Sequence, residues 1–308
     1  MKRFILLMIL IGLSACSHPK EVAEPKYFFL FANPLKNHGV WQKAENGFLD
    51  ACRDYHIDCE SLGPTNIDTH RMNEIIETGL MMKVDGIITQ GVVDEKLIKK
   101  AEELGIPFIL VDSDQKDSER FAFIGKDFKY QAELLLKDIY KYYGNQSDLK
   151  IAIQVAELNF DIATKQIEEI EAIFKYYPGS FEIVKVSESK SDTVRAKLEW
   201  NKVFDEHPEI NVAINFAGES AVPCFEAASE HHFDEVLIYG VDDITTTLEA
   251  IYQGQVDGSI VTSFYDYGYK SVEAIYQYLE NGFYPNEMNP DITLVNKESL
   301  EHYEKHFK

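Results

Sequence analysis

The sequence predicts an α/β protein of two lobes, each built on a doubly wound parallel sheet. Short apolar runs alternate with helical stretches along almost the whole chain. Such alternation builds parallel sheets covered on both faces. Nearly a dozen apolar runs are too many for one lobe of ordinary width. The 308 residues, 45% apolar and 12% aromatic, are enough for two cores.

The elements follow in order. Tyr27 to Ala32 is a strand, and Trp41 to Tyr55 a helix, with Trp41, Ala44, Phe48 and Cys52 spaced by three or four. Ile57 to Ser61 is a strand and Asp68 to Lys83 a helix. Asp85 to Thr89 is a strand and Asp94 to Leu104 a helix, and strands follow at Ile106 to Val111 and Phe121 to Ile124. A second series begins with a helix at Gln131 to Tyr143 and a strand at Lys150 to Val155. Helices at Ala163 to Tyr176, Thr193 to Glu206, Ala221 to Ser229 and Thr245 to Gln253 alternate with strands at Phe181 to Val186, Val212 to Phe216, Val236 to Tyr239 and Gly258 to Thr262. Tyr267 to Leu279 is the last long helix. Two lobes of this type place a ligand at the C-terminal ends of their strands, and hinge closure encloses it.

The chain carries 52 acidic and 30 basic residues, for a formal charge of −22. That balance argues against nucleic acid or an anionic membrane surface as partner. Four cysteines are too few for a disulfide-built scaffold.

The N-terminus reads as an export signal: Lys2-Arg3, an apolar run from Phe4 to Leu13, then Leu13-Ser14-Ala15-Cys16. The run is too short for a final membrane span. Leu-Ser-Ala-Cys resembles the lipobox of bacterial lipoproteins, which implies cleavage after residue 15 and a lipid anchor on Cys16. An ordinary secretory peptide ending in cysteine is the alternative. Residues 16–25 then form a polar tether. Loss of Lys2 and Arg3 leaves 28 basic residues against 52 acidic ones, a charge of −24.

From about residue 27 onward the chain resembles type 1 periplasmic binding proteins of the ribose/galactose-binding group. The resemblance rests on ordered pieces. These are Asp85-Gly86-Ile87-Ile88, Gly105 to Asp114, Ser118-Glu119-Arg120 and Phe123-Ile124-Gly125-Lys126-Asp127, then Tyr239-Gly240-Val241-Asp242-Asp243, Ile251-Tyr252-Gln253-Gly254, Gly268 to Val272 and Ile292 to Val295. It implies an N-terminal lobe at 26–125 and 264–289, a C-terminal lobe at 126–263 and 290–308, and a hinge of three crossings. It also implies a monomer on the outer face of a membrane. Such a protein hands a sugar or related polar molecule to an ABC permease or a sensor kinase.

Sugar recognition needs carboxylates and amides for the hydroxyls and aromatic faces for the C–H side of the ring. Asp112 and Asp242 end strands and match ligand-binding aspartates of the family. Trp41 matches a stacking position, with core packing as the alternative. Asn33 and His38 share the loop before it, as ligand donors or as loop caps. Gln90 follows the Ile87–Thr89 strand. Glu157, Asn159 and Phe160 lie beyond the Ile151–Val155 strand, with Lys165 or Gln166 where relatives carry Arg. Asn215, Ala217 and Glu219 occupy the next loop, and Ala217-Gly218 lacks the Asn-Asp of sugar binders. Ser113 departs from the Arg of ribose binders. Arg120 is expected to pair with Asp114 and brace its loop. The hinge stretch Ser263-Phe264-Tyr265-Asp266 departs from Gln-x-Pro, and its aromatics, Tyr265 among them, suggest an apolar wall. Several acids facing one cleft favour a neutral polyol or a cation over an anion.

Cys52 and Cys59 sit at apolar periodic positions. They are expected as two buried thiols, although an export context permits a disulfide. Cys224 is left unpaired. No nucleophile elbow, His-Glu-x-x-His or clustered ligand set marks an enzyme, a metal or a cofactor. A cleft glycosidase built on Asp and Glu pairs is the rival from another class. A repressor of related fold would need a basic helix-turn-helix where the signal stands.

Overall fold

A computed structural model describes residues 25–306, except 67, 146 and 286. The lipobox and Cys16 lie outside the described residues. The first series runs β1 (Phe28–Ala32), α1 (Gly39–Tyr55), β2 (Asp58–Leu62), α2 (Thr69–Met82), β3 (Gly86–Gln90), α3 (Glu95–Glu103), β4 (Phe108–Val111) and β5 (Ala122–Ile124). The second runs α4 (Phe128–Tyr143), β6 (Asp148–Val155), α5 (Asp161–Phe174), β7 (Ser180–Glu188), α6 (Thr193–Glu206), β8 (Val212–Asn215), α7 (Ala221–Glu230), β9 (Leu237–Val241), α8 (Thr245–Gln253) and β10 (Gly258–Thr262). The chain ends with α9 (Phe264–Asn281), β11 (Glu287–Met288), β12 (Ile292–Asn296) and α10 (Leu300–His306).

Short polar side chains set many of the helix starts. Asp68, Asp94, Asp127 and Asp192 accept from the amides of Arg71, Lys96, Tyr130 and Arg195 at 2.7–3.0 Å. Ser263 accepts from Asp266 at 3.3 Å. Each cap contributes about 1 kcal/mol. The caps at Asp127 and Ser263 start α4 and α9 three residues earlier than apolar spacing predicts.

Two six-stranded sheets result. Their orders, β11-β5-β4-β3-β1-β2 and β12-β10-β9-β8-β6-β7, are topologically equivalent strand for strand. All described pairings are parallel except β12 on β10. The sequence reading did not anticipate that antiparallel edge strand, β11 or α10. The chain passes between the lobes three times: after β5, between β10 and α9, and between β11 and β12. Helix α9 returns to the first sheet and packs on α1 in the core that holds Phe29, Phe48 and Tyr267. The two helices lie so close that a Cβ on Gly47 would strike the Tyr265 carbonyl, and one on Gly268 that of Ala44.

The cysteine expectation is corrected here. Cys52 and Cys59 form a disulfide, with Cα atoms 6.3 Å apart. The turn out of α1 into edge strand β2 brings two positions that each look like core spacing face to face. Cys224 is buried and free.

Candidate functional site

Asp112 follows β4, and Asp242 follows β9, the equivalent strand of the other sheet. Both adopt left-handed backbone, with φ of 63° and 61°, a region aspartate enters more readily than most side chains. Their amides donate to equivalent neighbouring strands, Asp112 to the Ile124 carbonyl at 3.0 Å and Asp242 to that of Ile260 at 2.9 Å. The two lobes thus present one carboxylate each from matching positions.

Around them the polar contacts are specific. Gln90 donates through Nε2 to Asp112 Oδ2 at 2.8 Å and also touches Ser113 Oγ at 3.4 Å. Burial pushes the Asp242 carboxyl above its ordinary range; Lys126 opposes the rise, while Asp243 and Asp112 add to it. Asp112 and Asp242 therefore feel each other across the lobes. Lys126 Nζ lies 5.6 Å above the ring of Phe264. Phe264 is edge-on to Trp41 at 5.6 Å and to Tyr267 at 5.0 Å. Trp41 is 7% exposed and belongs to the first-lobe core. A Cβ at Gly218 would come within 3.6 Å of Asp242 Oδ2, so the loop after β8 passes beside that carboxylate.

A second contact ties the lobes together. Lys43 on α1 makes an ion pair with Asp243, which also accepts from the Tyr303 hydroxyl at 2.7 Å. Burial alone would raise the Asp243 pKa, but bonds from Lys43 and Tyr303 outweigh it and hold the carboxyl below its usual range.

Other candidate residues are placed differently. The Asn33 amide lies in the loop before α1, donating to the Trp41 carbonyl at 3.3 Å and accepting from Leu35 at 3.0 Å. His38 makes no side-chain cap. Asn215 is fully buried, accepting from Trp200 Nε1 at 2.9 Å and donating to the Tyr239 carbonyl at 3.0 Å. Its amide has a core partner at each end. Glu219 accepts from Ser189 at 2.6 Å. Glu157 pairs with Lys190 at 3.4 Å. Asn159 and Phe160 are exposed, as is Lys165, while Gln166 is buried. Tyr265 has other partners than Asp112 and Asp242. It donates to Asp50 at 3.1 Å, stacks on Tyr269 at 5.8 Å and lines a cavity of about 1420 Å³ beside α1. Arg120 grips both oxygens of Asp114, at 2.5 and 3.0 Å, as expected of a loop brace.

Sequence reasoning missed Lys43, Lys126, Tyr267 and Tyr303 as parts of this region. Lys126 stood inside a quoted motif. Tyr267 lies three residues after Phe264, a spacing that carries meaning only once α9 is known to begin at Phe264.

Two α/β lobes, three crossings and a pair of equivalent carboxylates meeting between them define a two-lobed binding protein. The chain belongs to the periplasmic binding protein domain family, whose model matches residues 29–282. It is similar to GanP, a glucose-galactose binding protein from Geobacillus stearothermophilus, at 22% identity and TM-score 0.72, covering 89% of this chain and 98% of that one. It is similar to AraP, an arabinose binding protein from the same organism, at 20% identity and TM-score 0.78, covering 91% and 99%. XylFII in the XylFII-LytSN complex matches at 25% identity and TM-score 0.68, covering 89% and 98%. No curated protein matches. Among the described residues, no helix is long and apolar enough to cross a membrane.

Proposed function

We propose that this protein is an extracytoplasmic solute-binding lipoprotein that captures a neutral sugar or polyol between its lobes and delivers it to an ABC importer. The observation that carries the reading is the pairing of Asp112 and Asp242 from equivalent strand ends. Two carboxylates that only accept suit a ligand rich in hydroxyl donors. Gln90 and Lys126 add donors, and Trp41 and Phe264 add an apolar wall. The Lys43 charge is matched by Asp243, which leaves Lys126 as the main cation acting on Asp242 beside a second acid, Asp112, a balance that disfavours anions. GanP and AraP, by their names, bind sugars. We assign the lobes to 26–125 with 264–289 and to 126–263 with 290–308, the lipid to Cys16, and binding rather than catalysis to the cleft. A second reading, presentation of the ligand to a membrane sensor kinase, draws on the neighbour solved together with LytSN.

Thermal-shift screening of arabinose, glucose, galactose, pentitols and small amines, followed by calorimetry, tests the ligand class. A binder raises Tm by mass action. Silence toward every sugar and polyol refutes the assignment. Loss of lipid labelling in Cys16→Ser tests the anchor, and persistence of the label overturns it.

A further inference from the structure

A hydroxyl without a partner is buried beside the paired aspartates. Tyr267, near the start of α9, is 0% exposed. Its ring stands edge-on to Phe264 at 5.0 Å, and Phe264 in turn lies under Lys126. It shares a core with Val111 and Ile124, the residue before Asp112 and the residue whose carbonyl holds the Asp112 amide. The Tyr267 hydroxyl makes no hydrogen bond. Asp112 is the acceptor that acts on it most directly, although no bond of ordinary geometry forms between them, and Asp112 Oδ2 already accepts from Gln90. Desolvation, and then the charges of Asp112 and Asp242, push the phenol far above its ordinary range. The group therefore stays protonated, as a donor facing two acceptors. Buried hydroxyls are nearly always bonded, so this one stands out at the point where the lobes meet.

A ligand hydroxyl is both donor and acceptor. Carboxylates satisfy only its proton, and its lone pairs need protein donors. Gln90 is engaged with Asp112, and Lys126 acts on Asp242 by charge. Tyr267 adds a third donor, the one fully buried and without a partner of its own. We propose that Tyr267 is a specificity-determining residue of this cleft, its hydroxyl donating to one oxygen of a vicinal diol whose protons are accepted by Asp112 and Asp242. The inference rests on the sugar-binding reading above and narrows it to ligands carrying that diol.

The test is Tyr267→Phe, which keeps the ring and removes only the unpartnered oxygen. Calorimetry with arabinose, glucose and galactose identifies the tightest of the three for the wild type. The variant binds that sugar about 10- to 100-fold more weakly, the loss of one buried hydrogen bond to the ligand, while its ligand-free Tm is unchanged or higher. One monodeoxy analogue of the same sugar binds variant and wild type equally, because the oxygen served by Tyr267 is gone. Equal affinity of wild type and variant for the parent sugar overturns this inference alone. A lower ligand-free Tm, with every deoxy analogue weakened in the variant, also overturns it, by assigning Tyr267 to support of the fold. A wild type that binds none of the three sugars overturns both this inference and the reading beneath it.

Discussion

Replacing Asp242 by Asn separates binding from stability. Asn has nearly the same shape and tolerates left-handed backbone as Asp does, so φ of 61° is preserved. The variant loses charge, not geometry. A hydrogen bond to a charged group contributes about 1–1.5 kcal/mol more than a neutral one, so a carboxylate accepting two ligand hydroxyls predicts affinity about 30- to 150-fold weaker. Stability moves the other way. The Asp242 pKa is raised in the folded protein, chiefly by burial. A carboxyl raised above its unfolded value supports the fold fully below that unfolded value, and the support is lost as pH climbs through the folded value. The ionised form of Asp242 is therefore a burden on the fold, and Asn imitates its protonated form. Calorimetry and thermal melts of the ligand-free protein from pH 4 to 8 provide the assay. The variant binds more weakly and melts higher near pH 7, and the two melting curves converge toward pH 4. A variant that binds as tightly as the wild type, or melts lower across the range, refutes the placement of a desolvated carboxylate in the cleft.

The disulfide closes a short loop, a sequence separation of 7, so its reduction costs about 2.5 kcal/mol by loop-closure entropy. A phosphine reductant lowers Tm by roughly 4 °C, and an unchanged melt argues against the bridge. The Lys43–Asp243 pair joins opposite lobes and Lys43 is 41% exposed, so Lys43→Gln weakens the contact between the lobes by about 0.2–1 kcal/mol. Its ligand affinity falls up to about fivefold at low salt, and X-ray scattering shows a larger radius of gyration; no change in either disproves the tie. Asn215→Ala leaves the buried Trp200 N–H and Tyr239 carbonyl unpaired, at about 1–3 kcal/mol each. It lowers Tm while ligand affinity holds, and the reverse pattern places the Asn215 amide on the ligand instead.

The strands were legible because parallel sheets buried on both faces leave unbroken apolar runs such as Phe108–Val111 and Val212–Asn215. Helix starts at Phe128 and Phe264 were set by the side-chain caps of Asp127 and Ser263, which apolar spacing ignores. Two-residue β11 carries no periodic signal, and β12, with a mixed burial pattern on an edge, resembles a loop. The disulfide was hidden because Cys52 also satisfies the core spacing of α1. In the cleft, Asp112 and Asp242 were readable as residues ending strands. Asn215 met the same criterion, yet Trp200 arrives from α6 to occupy its amide. The places of Tyr267 and Lys126 depend on crossings that bring distant segments together, and local pattern holds no trace of that.

Those crossings impose an order on folding. The five strands β6–β10 lie in one continuous stretch, and only edge strand β12 joins their sheet later. The other sheet is not complete until β11 pairs with β5, and its core lacks α9 until that helix returns against α1, some two hundred residues away in sequence. Closing so long a loop is entropically costly and slow. The lobe formed from the beginning of the chain thus waits for a helix from near its end, with its α1 surface exposed until most of the polypeptide has emerged. A chaperone that shields α1 during synthesis, or during passage through a membrane in unfolded form, would cover the apolar face that waits longest for its partner helix.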